Sequence, residues 1–453
     1  MPSSLRILYL AAGDDDRRGA AARDANLARG LAALGHDLHF APLFAPPHLD
    51  VPLEPALLRA ARSASGDAAA ANDGESGAPP PFLMNAARLR LIAAGPLGRR
   101  LAGLGGRHLD HPEIRRRLAP WGRAARPAVR GRFLVHFLEG VHGPLAGEFF
   151  RALDHFTDPR PDVVVLSSAM LSAFAPLVAE RWPGAPVAML FADEDLALER
   201  LPEPWRGRAR RLIRTHARAC RRIWVSGRHQ ALRAIDLLAL PMCRMRQVTV
   251  SLPGVDYAHT DGRRREPFTI GYLSAIAPEK GLWTLAYAFS MLARERSPDA
   301  LLWIAGRTVD SAYWRRVERQ LRRDGVGDRA TVFGELDRDE KLAFFRGLSV
   351  FCVPARLPEA RGLAVMEAMA AGVPVVAPAV GGYPELLRRT GGGTLLPPDA
   401  PAMLAETFAL MMDDPDTADA LGRAGQTSTL RHFSLESAAA EADRHLREML
   451  SPP

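Results

Sequence analysis

Short apolar runs alternate with longer amphipathic stretches along much of the chain, which is the pattern of a parallel β-sheet flanked by helices. An apolar run at 7–12 precedes a helical pattern at 20–34, which ends at Gly35, and a second apolar run follows at 38–42. These segments predict a βαβ unit and therefore a parallel sheet in the first part of the chain. Further strands of this sheet are predicted at 162–167, 186–191, 223–226 and 247–252.

The alternation becomes more regular in the second part of the chain and predicts five strand–helix units of a doubly wound parallel sheet. The predicted strands are 268–273, 301–305, 331–333, 350–354 and 373–377, and the helical patterns between them are 282–295, 311–323, 338–346 and 363–371. Closing helices are predicted near 400–412, 416–424 and 436–449.

The length of 453 residues exceeds what a single hydrophobic core usually supports, so we expect two domains. The predicted divisions are a first Rossmann-like domain at 1–255, a polar linker at 256–266, a second Rossmann-like domain at 267–433, and a C-terminal helix and tail at 434–453. Within the first domain, 61–81 is poor in large apolar residues and is predicted to be a disordered insertion. The fold class is thus α/β, with two doubly wound domains facing across a cleft where loops after strands bind ligands.

Charge is distributed unevenly along the chain. The formal net charge is +8, of which residues 1–265 contribute +12 and residues 266–453 contribute −4, and only two of the 59 basic residues are lysines. The arginine bias is typical of a GC-rich, bacterial genome. A basic first half is compatible with peripheral contact to an anionic membrane surface or with phosphorylated ligands. The dense arginines at 206–222 lack interleaved aromatic residues, which favours a solvated helix over a nucleic-acid-binding surface.

The cysteines and the longest apolar segments exclude several protein classes. Cys220, Cys243 and Cys352 are widely separated and lack paired spacing, which argues against a disulfide scaffold and a zinc site and favours a reducing compartment. Residues 1–10 do not have the pattern of a signal peptide, and the uncharged stretch at 163–179 is too short for a membrane span. We therefore expect a cytoplasmic location, compatible with peripheral contact to the inner face of the membrane.

The segment 353–384 carries the most informative candidate chemistry. A loop after the strand holds Glu359, and a helix that begins near Gly362 carries Glu367, so that both carboxylates can face one cleft. Carboxylates that accept hydrogen bonds from sugar hydroxyls beside an anion site would hold a nucleotide sugar. The amides at the helix start that can meet a diphosphate belong to Gly362, Leu363 and Ala364.

This segment resembles the Glu-x7-Glu signature of family 4 glycosyltransferases, which have the GT-B fold, and the resemblance extends over nearly the whole chain. Residues 271–281 are similar to the donor-phosphate loop of the family, and 381–385 to its Gly-Gly-x-Pro-Glu turn. Residues 27–36 resemble its first helix, and 253–256 resemble the end of its first domain. The resemblance implies transfer of a sugar from a nucleoside-diphosphate sugar to a hydroxyl of a glycan, lipid carrier or small molecule, with retention of configuration.

The resemblance also implies residue roles. Lys280 and Glu359 match the catalytic residues of the family: Lys280 the lysine that neutralises the donor diphosphate, and Glu359 the carboxylate that binds the sugar. Glu367 matches the carboxylate that binds the ribose. The nucleotide base is expected against the backbone near 334–336, which includes the donor-binding candidates Gly334 and Glu335. No cofactor besides the donor co-substrate and no metal is implied. For an isolated glutamate, a surface ion pair would be the simpler interpretation.

Three acidic residues after a strand of the first domain form a second candidate site. Asp193, Glu194 and Asp195 fit the acidic pair that faces the acceptor in the family, although a purely structural role is an equally open interpretation. They are the nearest match to an Asp-x-Asp metal motif, but they do not lie in a donor-site context.

The chain departs from the family pattern at two places. Ala275 stands where the family has an arginine beside the diphosphate, and the loop at 13–19 brings three aspartates where a glycine pair is common. Arg307, or Arg17 and Arg18, could supply the missing positive charge. These departures motivate an alternative function, in which a catalytically degenerate GT-B protein binds a sugar nucleotide or a partner glycosyltransferase without turnover.

Two further classes are disfavoured by the residues. A dinucleotide-dependent enzyme would need spaced glycines after the first strand, where Gly13 is instead followed by three aspartates. A nucleic-acid binder is favoured only by the net charge, so nucleic acid is not an expected partner.

Overall fold

The computed structural model describes residues 4–11, 19–43, 127–155, 160–191, 194–249, 266–359 and 362–451. Contacts between residues divide the chain into two units, the first consisting of 1–226, 230–249 and 438–453 and the second of 227–229 and 250–437. Several predicted features lie outside the described residues: the insertion at 61–81, the linker up to residue 265, the segment 253–256, the loop at 13–18 with Arg17 and Arg18, and Asp193.

The first unit is built on a parallel sheet of six described strands. The strands are β1 (Arg6–Ala11), β2 (Asp37–Pro42), β3 (Val163–Leu166), β4 (Val187–Leu190), β5 (Arg222–Val225) and β6 (Met245–Gln247), in the order β2-β1-β3-β4-β5-β6. The central strands are continuous apolar runs because helices cover both faces of the sheet.

Seven helices lie in the first unit's part of the described chain. They are α1 (Gly19–Ala33), α2 (Pro127–Leu138), α3 (Ala146–His155), α4 (Phe174–Arg181), α5 (Glu194–Glu199), α6 (Trp205–Ala217) and α7 (Arg228–Leu238), the last of which begins within the short segment 227–229 of the second unit. The final helix, α15 (Leu435–Leu450), is grouped with the first unit from Ala438 onwards. Its Ala442, Leu446 and Met449 pack in one core cluster with residues of β1, β3 and β5.

The second unit contains another parallel sheet of six described strands. They are β7 (Thr269–Leu273), β8 (Leu301–Ala305), β9 (Ala330–Gly334), β10 (Val350–Cys352), β11 (Val375–Pro378) and β12 (Gly393–Leu396), in the order β12-β11-β10-β7-β8-β9. The helices are α8 (Leu282–Glu295), α9 (Ser311–Arg323), α10 (Arg338–Arg346), α11 (Leu363–Ala370), α12 (Tyr383–Thr390), α13 (Pro401–Asp413) and α14 (Pro415–His432).

Two core clusters in the second unit correspond to the two faces of its sheet. Along β11, Val376 belongs to the cluster that contains α8 and α13, whereas its neighbours Val375 and Ala377 belong to the cluster that contains α11 and α12. This alternation is expected for a strand buried on both sides. The predicted doubly wound architecture is thus confirmed for each unit.

The sequence pattern missed strand β12 and helix α12 of the second unit. Strand β12 has only four residues, is mostly half-buried, and lies at the edge of the sheet, so it lacks a long apolar run. Its first residue, Gly393, lies so close to Val375 that a Cβ atom would be 2.9 Å from the Val375 carbonyl carbon. The helix predicted at 416–424 continues to His432 as α14.

Candidate functional site

Three loops meet at the carboxyl ends of the second unit's strands, where ligands of parallel sheets bind. They follow β7, β10 and β11. The first two are in direct backbone contact, because the Arg356 N–H donates to the Glu279 carbonyl oxygen at 3.0 Å. The backbone of Gly281 also passes against Pro354, so that a Cβ atom at Gly281 would be 2.7 Å from the Pro354 carbonyl carbon. The sheet order therefore brings the two motifs of the sequence side by side.

The loop after β7 places Lys280 at the amino end of a helix. Residues Pro278–Lys280 form a single 3-10 turn, and Gly281 then adopts a left-handed conformation with φ 73° before α8 begins at Leu282. The positive end of the α8 dipole adds to the charge of the lysine. An anion at this position would meet both the ammonium group and the first free amides of α8.

Lys280 and Glu359 form an ion pair between the loops after β7 and β10. The Lys280 Nζ atom contacts the Glu359 Oε1 atom, and the two side chains are 28% and 30% exposed. The Tyr383 hydroxyl donates to the other oxygen, Oε2, at 2.8 Å. The predicted phosphate lysine and the predicted sugar carboxylate are thus brought together, and each oxygen of Glu359 has its own partner.

The turn after β11 supports the backbone of Glu359. The Gly382 N–H donates to the Glu359 carbonyl oxygen at 2.7 Å. Gly381 has φ 65°, and a Cβ atom there would lie 2.7 Å from the Glu359 nitrogen and closer to its oxygen, so only glycine fits. The Gly-Gly-Tyr segment therefore holds the Glu359 loop from its backbone and, through Tyr383, from its side chain. The sequence resemblance identified this turn, but not the contact made by Tyr383.

Glu367 has a different cationic partner. Gly362, with φ 60°, precedes α11, whose first amides include those of the predicted anion-binding residues Leu363 and Ala364. Further along α11, the Glu367 Oε1 atom lies 2.8 Å from the Nζ atom of Lys341 on α10. The sequence analysis did not identify Lys341 as a site residue. The scarcity of lysine in the chain was a signal that could have found it, because the two lysines pair with the two glutamates of the motif.

The loop after β8 and the end of β9 with the loop that follows it hold the other predicted donor residues. Gly334 has φ 71°, and its carbonyl oxygen accepts the N–H of Gly306. The Arg307 Nε atom lies 3.6 Å from the Glu335 Oε1 atom, with both side chains exposed. The loop containing Arg307 also lies beside the phosphate loop, because the Ile276 N–H donates to the Arg307 carbonyl oxygen at 2.9 Å. The backbone of Arg307 therefore lies beside the phosphate loop, whereas its side chain is directed to Glu335.

Ala275, where the sequence resemblance leads one to expect an arginine, contributes to the loop through its backbone. Its carbonyl oxygen accepts a hydrogen bond from the Tyr272 hydroxyl at 2.9 Å. Burial raises the pKa of Tyr272, so the phenol remains a donor across the physiological pH range.

In the first unit, the described members of the acidic triplet make structural contacts. The buried Glu194 accepts hydrogen bonds from the Ser168 hydroxyl at 2.8 Å and from the Ala169 N–H at 3.0 Å. Asp195 forms an ion pair with Arg233 on α7. These contacts tie the loop after β3 to α5, as the structural interpretation of the triplet expects. Any acceptor role of the triplet stays a prediction.

Within the ranges that the structure describes, no three histidine, cysteine or acidic side chains come together as a set of metal ligands. None of the helices in those ranges is both long and apolar enough to span a bilayer.

Comparison with known proteins finds similarity over the part of the chain that holds this site. Residues 259–428, which include every site residue described above in the second unit, match the family model described as glycosyl transferases group 1. The chain is 30% identical over 185 residues to the GDP-mannose-dependent alpha-(1-6)-phosphatidylinositol monomannoside mannosyltransferase of Mycobacterium tuberculosis, covering 40% of this chain and 47% of the relative. It is 33% identical over 181 residues to the 2-deoxystreptamine glucosyltransferase of Streptomyces kanamyceticus, covering 40% of this chain and 46% of that relative. The chain thus spans about half the length of the curated relatives it matches.

Similar solved structures extend over nearly the whole chain. Anabaena Alr3699/HepE in complex with UDP has a TM-score of 0.65 at 14% identity and covers 98% of this chain and 100% of that one. Sucrose-phosphate synthase from Thermosynechococcus elongatus has a TM-score of 0.64 at 17% identity and covers 98% and 99%. These structures confirm the two-domain Rossmann-like fold.

Proposed function

We propose that this protein transfers a sugar from a nucleoside-diphosphate sugar to a hydroxyl acceptor, with retention of configuration and without a metal ion, as a family 4 glycosyltransferase. One observation carries the proposal. Lys280 and Glu359, from loops after two different strands, are paired at the carboxyl edge of the second unit's sheet, inside the matched region. In the donor, the diphosphate is bonded directly to the sugar. A cation that binds the diphosphate and a carboxylate that binds the sugar must therefore lie next to each other, as Lys280 and Glu359 do.

The phosphate part of the donor would be held by positive charge. Lys280 lies at the amino end of α8, and the amides of Gly362, Leu363 and Ala364 lie at the amino end of α11, both after strands at this edge of the sheet. Lys280 is partly exposed, so its ammonium group can exchange Glu359 for a phosphate oxygen. The same group then stabilises the charge that develops on the diphosphate as the bond to the sugar breaks.

The two carboxylates would bind hydroxyl groups. Glu359, when released from Lys280, can accept hydrogen bonds from the sugar while Tyr383 keeps its orientation. Glu367 would accept from the ribose of the nucleotide. A carboxylate accepts hydrogen bonds without donating any, so it suits neighbouring hydroxyl donors on a sugar ring.

The proposed chemical step needs no protein nucleophile. The bond between the anomeric carbon and the diphosphate oxygen breaks, and the acceptor oxygen bonds to the same face of that carbon. The proton of the acceptor hydroxyl passes to the departing phosphate oxygen. The protein contributes by holding the reactants in place and by stabilising the leaving charge.

The names of the relatives and of a structural neighbour suggest candidate substrates. One relative is named as using GDP-mannose, and a structural neighbour holds UDP, so either base is a candidate. The names of the relatives include inositol phosphate, phosphatidylinositol mannoside and 2-deoxystreptamine acceptors, which indicates a hydroxyl of a polyol, glycan or lipid carrier. A cytoplasmic location, with the basic first half contacting the inner face of an anionic membrane, stays a prediction.

The proposal is tested by binding and then by turnover. Thermal unfolding of the purified protein is measured with UDP, GDP and ADP sugars, since a ligand that binds the native state raises its stability. The sugar nucleotide that binds is then incubated with polyol, glycan and lipid acceptors, and released nucleoside diphosphate is quantified. The anomeric configuration of the product is read by NMR; inversion would contradict the retaining mechanism.

Variants at the site separate the proposed chemistry from folding. We expect Lys280→Met and Glu359→Gln to lower turnover by about a hundredfold or more, because each removes a charged group that contacts the donor. Glu295→Gln, at an exposed position on α8, is the matched control and should turn over like the unchanged protein. Unchanged turnover in both site variants would refute the proposal.

The alternative of a catalytically degenerate binder is favoured by Ala275, which leaves the family's second cation absent from the phosphate loop. It predicts stabilisation by a sugar nucleotide with no release of nucleoside diphosphate on any acceptor. Observation of turnover excludes it.

A further inference from the structure

The ion pair between Lys341 and Glu367 is unusual for its surroundings. Glu367 is the only charged residue of α11, whose other members are apolar, and its side chain is only 7% exposed. Lys341 is the fourth residue of α10 and is 25% exposed. The Nζ atom and the Oε1 atom are 2.8 Å apart.

Folding alone does not account for this pair. Removing two charges from water costs free energy that their attraction often only offsets, so an apolar pair of similar volume would serve the core equally well. The two side chains come from different helices, α10 after β9 and α11 after β10. The ion pair at this depth is therefore better explained by a function of the Glu367 carboxylate than by a contribution to stability.

The choice of lysine is informative in this chain, where 57 of the 59 basic residues are arginine. An arginine binds a carboxylate through two parallel hydrogen bonds and occupies both oxygens. A lysine is a point charge and contacts one. In the described part of the chain, Lys341 is the only recorded polar partner of the Glu367 side chain, so the Oε2 atom is left to accept from another donor.

We propose that Lys341 is a positioning residue that holds Glu367 as an oriented carboxylate and thereby sets the preference for the ribose diol of the nucleotide. This inference rests on the proposed function, which places a nucleoside diphosphate at this edge of the sheet. Lys341 binds Oε1 and fixes the plane of the carboxylate. Oε2 then accepts from the ribose hydroxyls, while Lys341 itself need not touch the ligand.

The test compares two ligands that differ only in the ribose hydroxyls. The tightest binder among UDP, GDP and ADP is measured by calorimetry beside its 2′,3′-dideoxy form. We expect the unchanged protein to prefer the ribose form by about tenfold or more, the size expected for hydrogen bonds to a charged group. Glu367→Gln and Lys341→Met should each reduce this preference to about threefold or less, and the double variant should lose little more.

The affinity for the dideoxy form distinguishes positioning from a general structural role. If Lys341 positions Glu367, Lys341→Met leaves this affinity within about twofold of the unchanged protein; general damage to the site lowers both affinities together. Lys341→Arg keeps the charge and should fold even if Lys341→Met does not. Because its guanidinium engages both oxygens, we expect a reduced ribose preference in this variant too. Asp339→Asn, an exposed neighbour on α10, is the control.

The outcomes separate this inference from the proposed function. If the unchanged protein binds none of the nucleoside diphosphates, both the proposed function and this inference are refuted. If the unchanged protein prefers ribose and Glu367→Gln loses the preference, but the Lys341 variants keep it, only the positioning role is overturned.

Discussion

The close approach of Gly281 to Pro354 allows a substitution whose cost can be worked out from the structure. Gly281 has φ 73°, and a Cβ atom would lie 2.7 Å from the Pro354 carbonyl carbon and closer still to its oxygen. Ordinary van der Waals contact begins at about 3.4 Å, so the carbonyl carbon alone requires the two loops to separate by about 0.7 Å to admit a methyl group, and the nearer oxygen requires more. Gly281→Ala therefore carries a steric cost in addition to the cost of its backbone conformation.

Gly325 provides a control with the same backbone conformation and no steric conflict. Its φ is 72°, and among the described residues no heavy atom would lie within 4 Å of its Cβ atom. A left-handed alanine costs about 1–2 kcal/mol, which both substitutions share. Forcing an extra methyl group into a packed site adds about 1–3 kcal/mol. We expect Gly281→Ala to lower the free energy of unfolding by about 2–5 kcal/mol and Gly325→Ala by about 1–2 kcal/mol.

The assay is urea unfolding followed by tryptophan fluorescence, with ligand affinity measured on the folded variants. Displacement of the Pro354 loop also moves Glu359 relative to Lys280, so Gly281→Ala should weaken sugar-nucleotide binding by about tenfold or more, whereas Gly325→Ala should not. Equal destabilisation by the two substitutions, together with unchanged affinity in Gly281→Ala, would show that the loops do not need this contact.

Two further predictions concern single side chains. Tyr383→Phe removes the hydrogen bond to Glu359 and should cost about 1 kcal/mol of stability. It should also weaken binding of the sugar nucleotide several-fold more than binding of the free nucleoside diphosphate; Tyr287→Phe, at an exposed position, is the control, and an equal loss for both ligands would contradict a role at the sugar. Burial lowers the pKa of His36 below its ordinary value despite the Asp443 carboxylate, so its neutral form is favoured in the folded state. The contribution of His36 to the free energy of unfolding is complete above pH about 6.5 and is lost as the pH falls towards the folded pKa. When the free energy of unfolding in urea is measured against pH, His36→Asn should make the curve flatter in this range. If the curves of the variant and the unchanged protein are parallel, His36 is not the group responsible.

Much of the second unit could be predicted because its helices are specified locally. The patterns at 282–295, 311–323 and 338–346 coincide with α8, α9 and α10. Asp310 caps α9 by accepting the N–H groups of its first turn, and Asp337 and Glu340 form a capping box at α10. Such signals lie within a few residues of the helix end. Strand β12 and helix α12 were missed because a four-residue edge strand and a two-turn helix carry little periodicity.

The sequence by itself determined the element types, the doubly wound class and the identity of Lys280, Glu359 and Glu367 as candidate site residues. Only the tertiary structure decided their partners. Glu359 meets a lysine 79 positions away, and Glu367 meets one 26 positions away that no motif had identified. The physical reason is that strand order, not sequence distance, decides which loops become neighbours: β10 pairs with β7 and β11, so their loops converge on Glu359. Periodicity records which face of each element is buried, but it does not record which elements lie side by side.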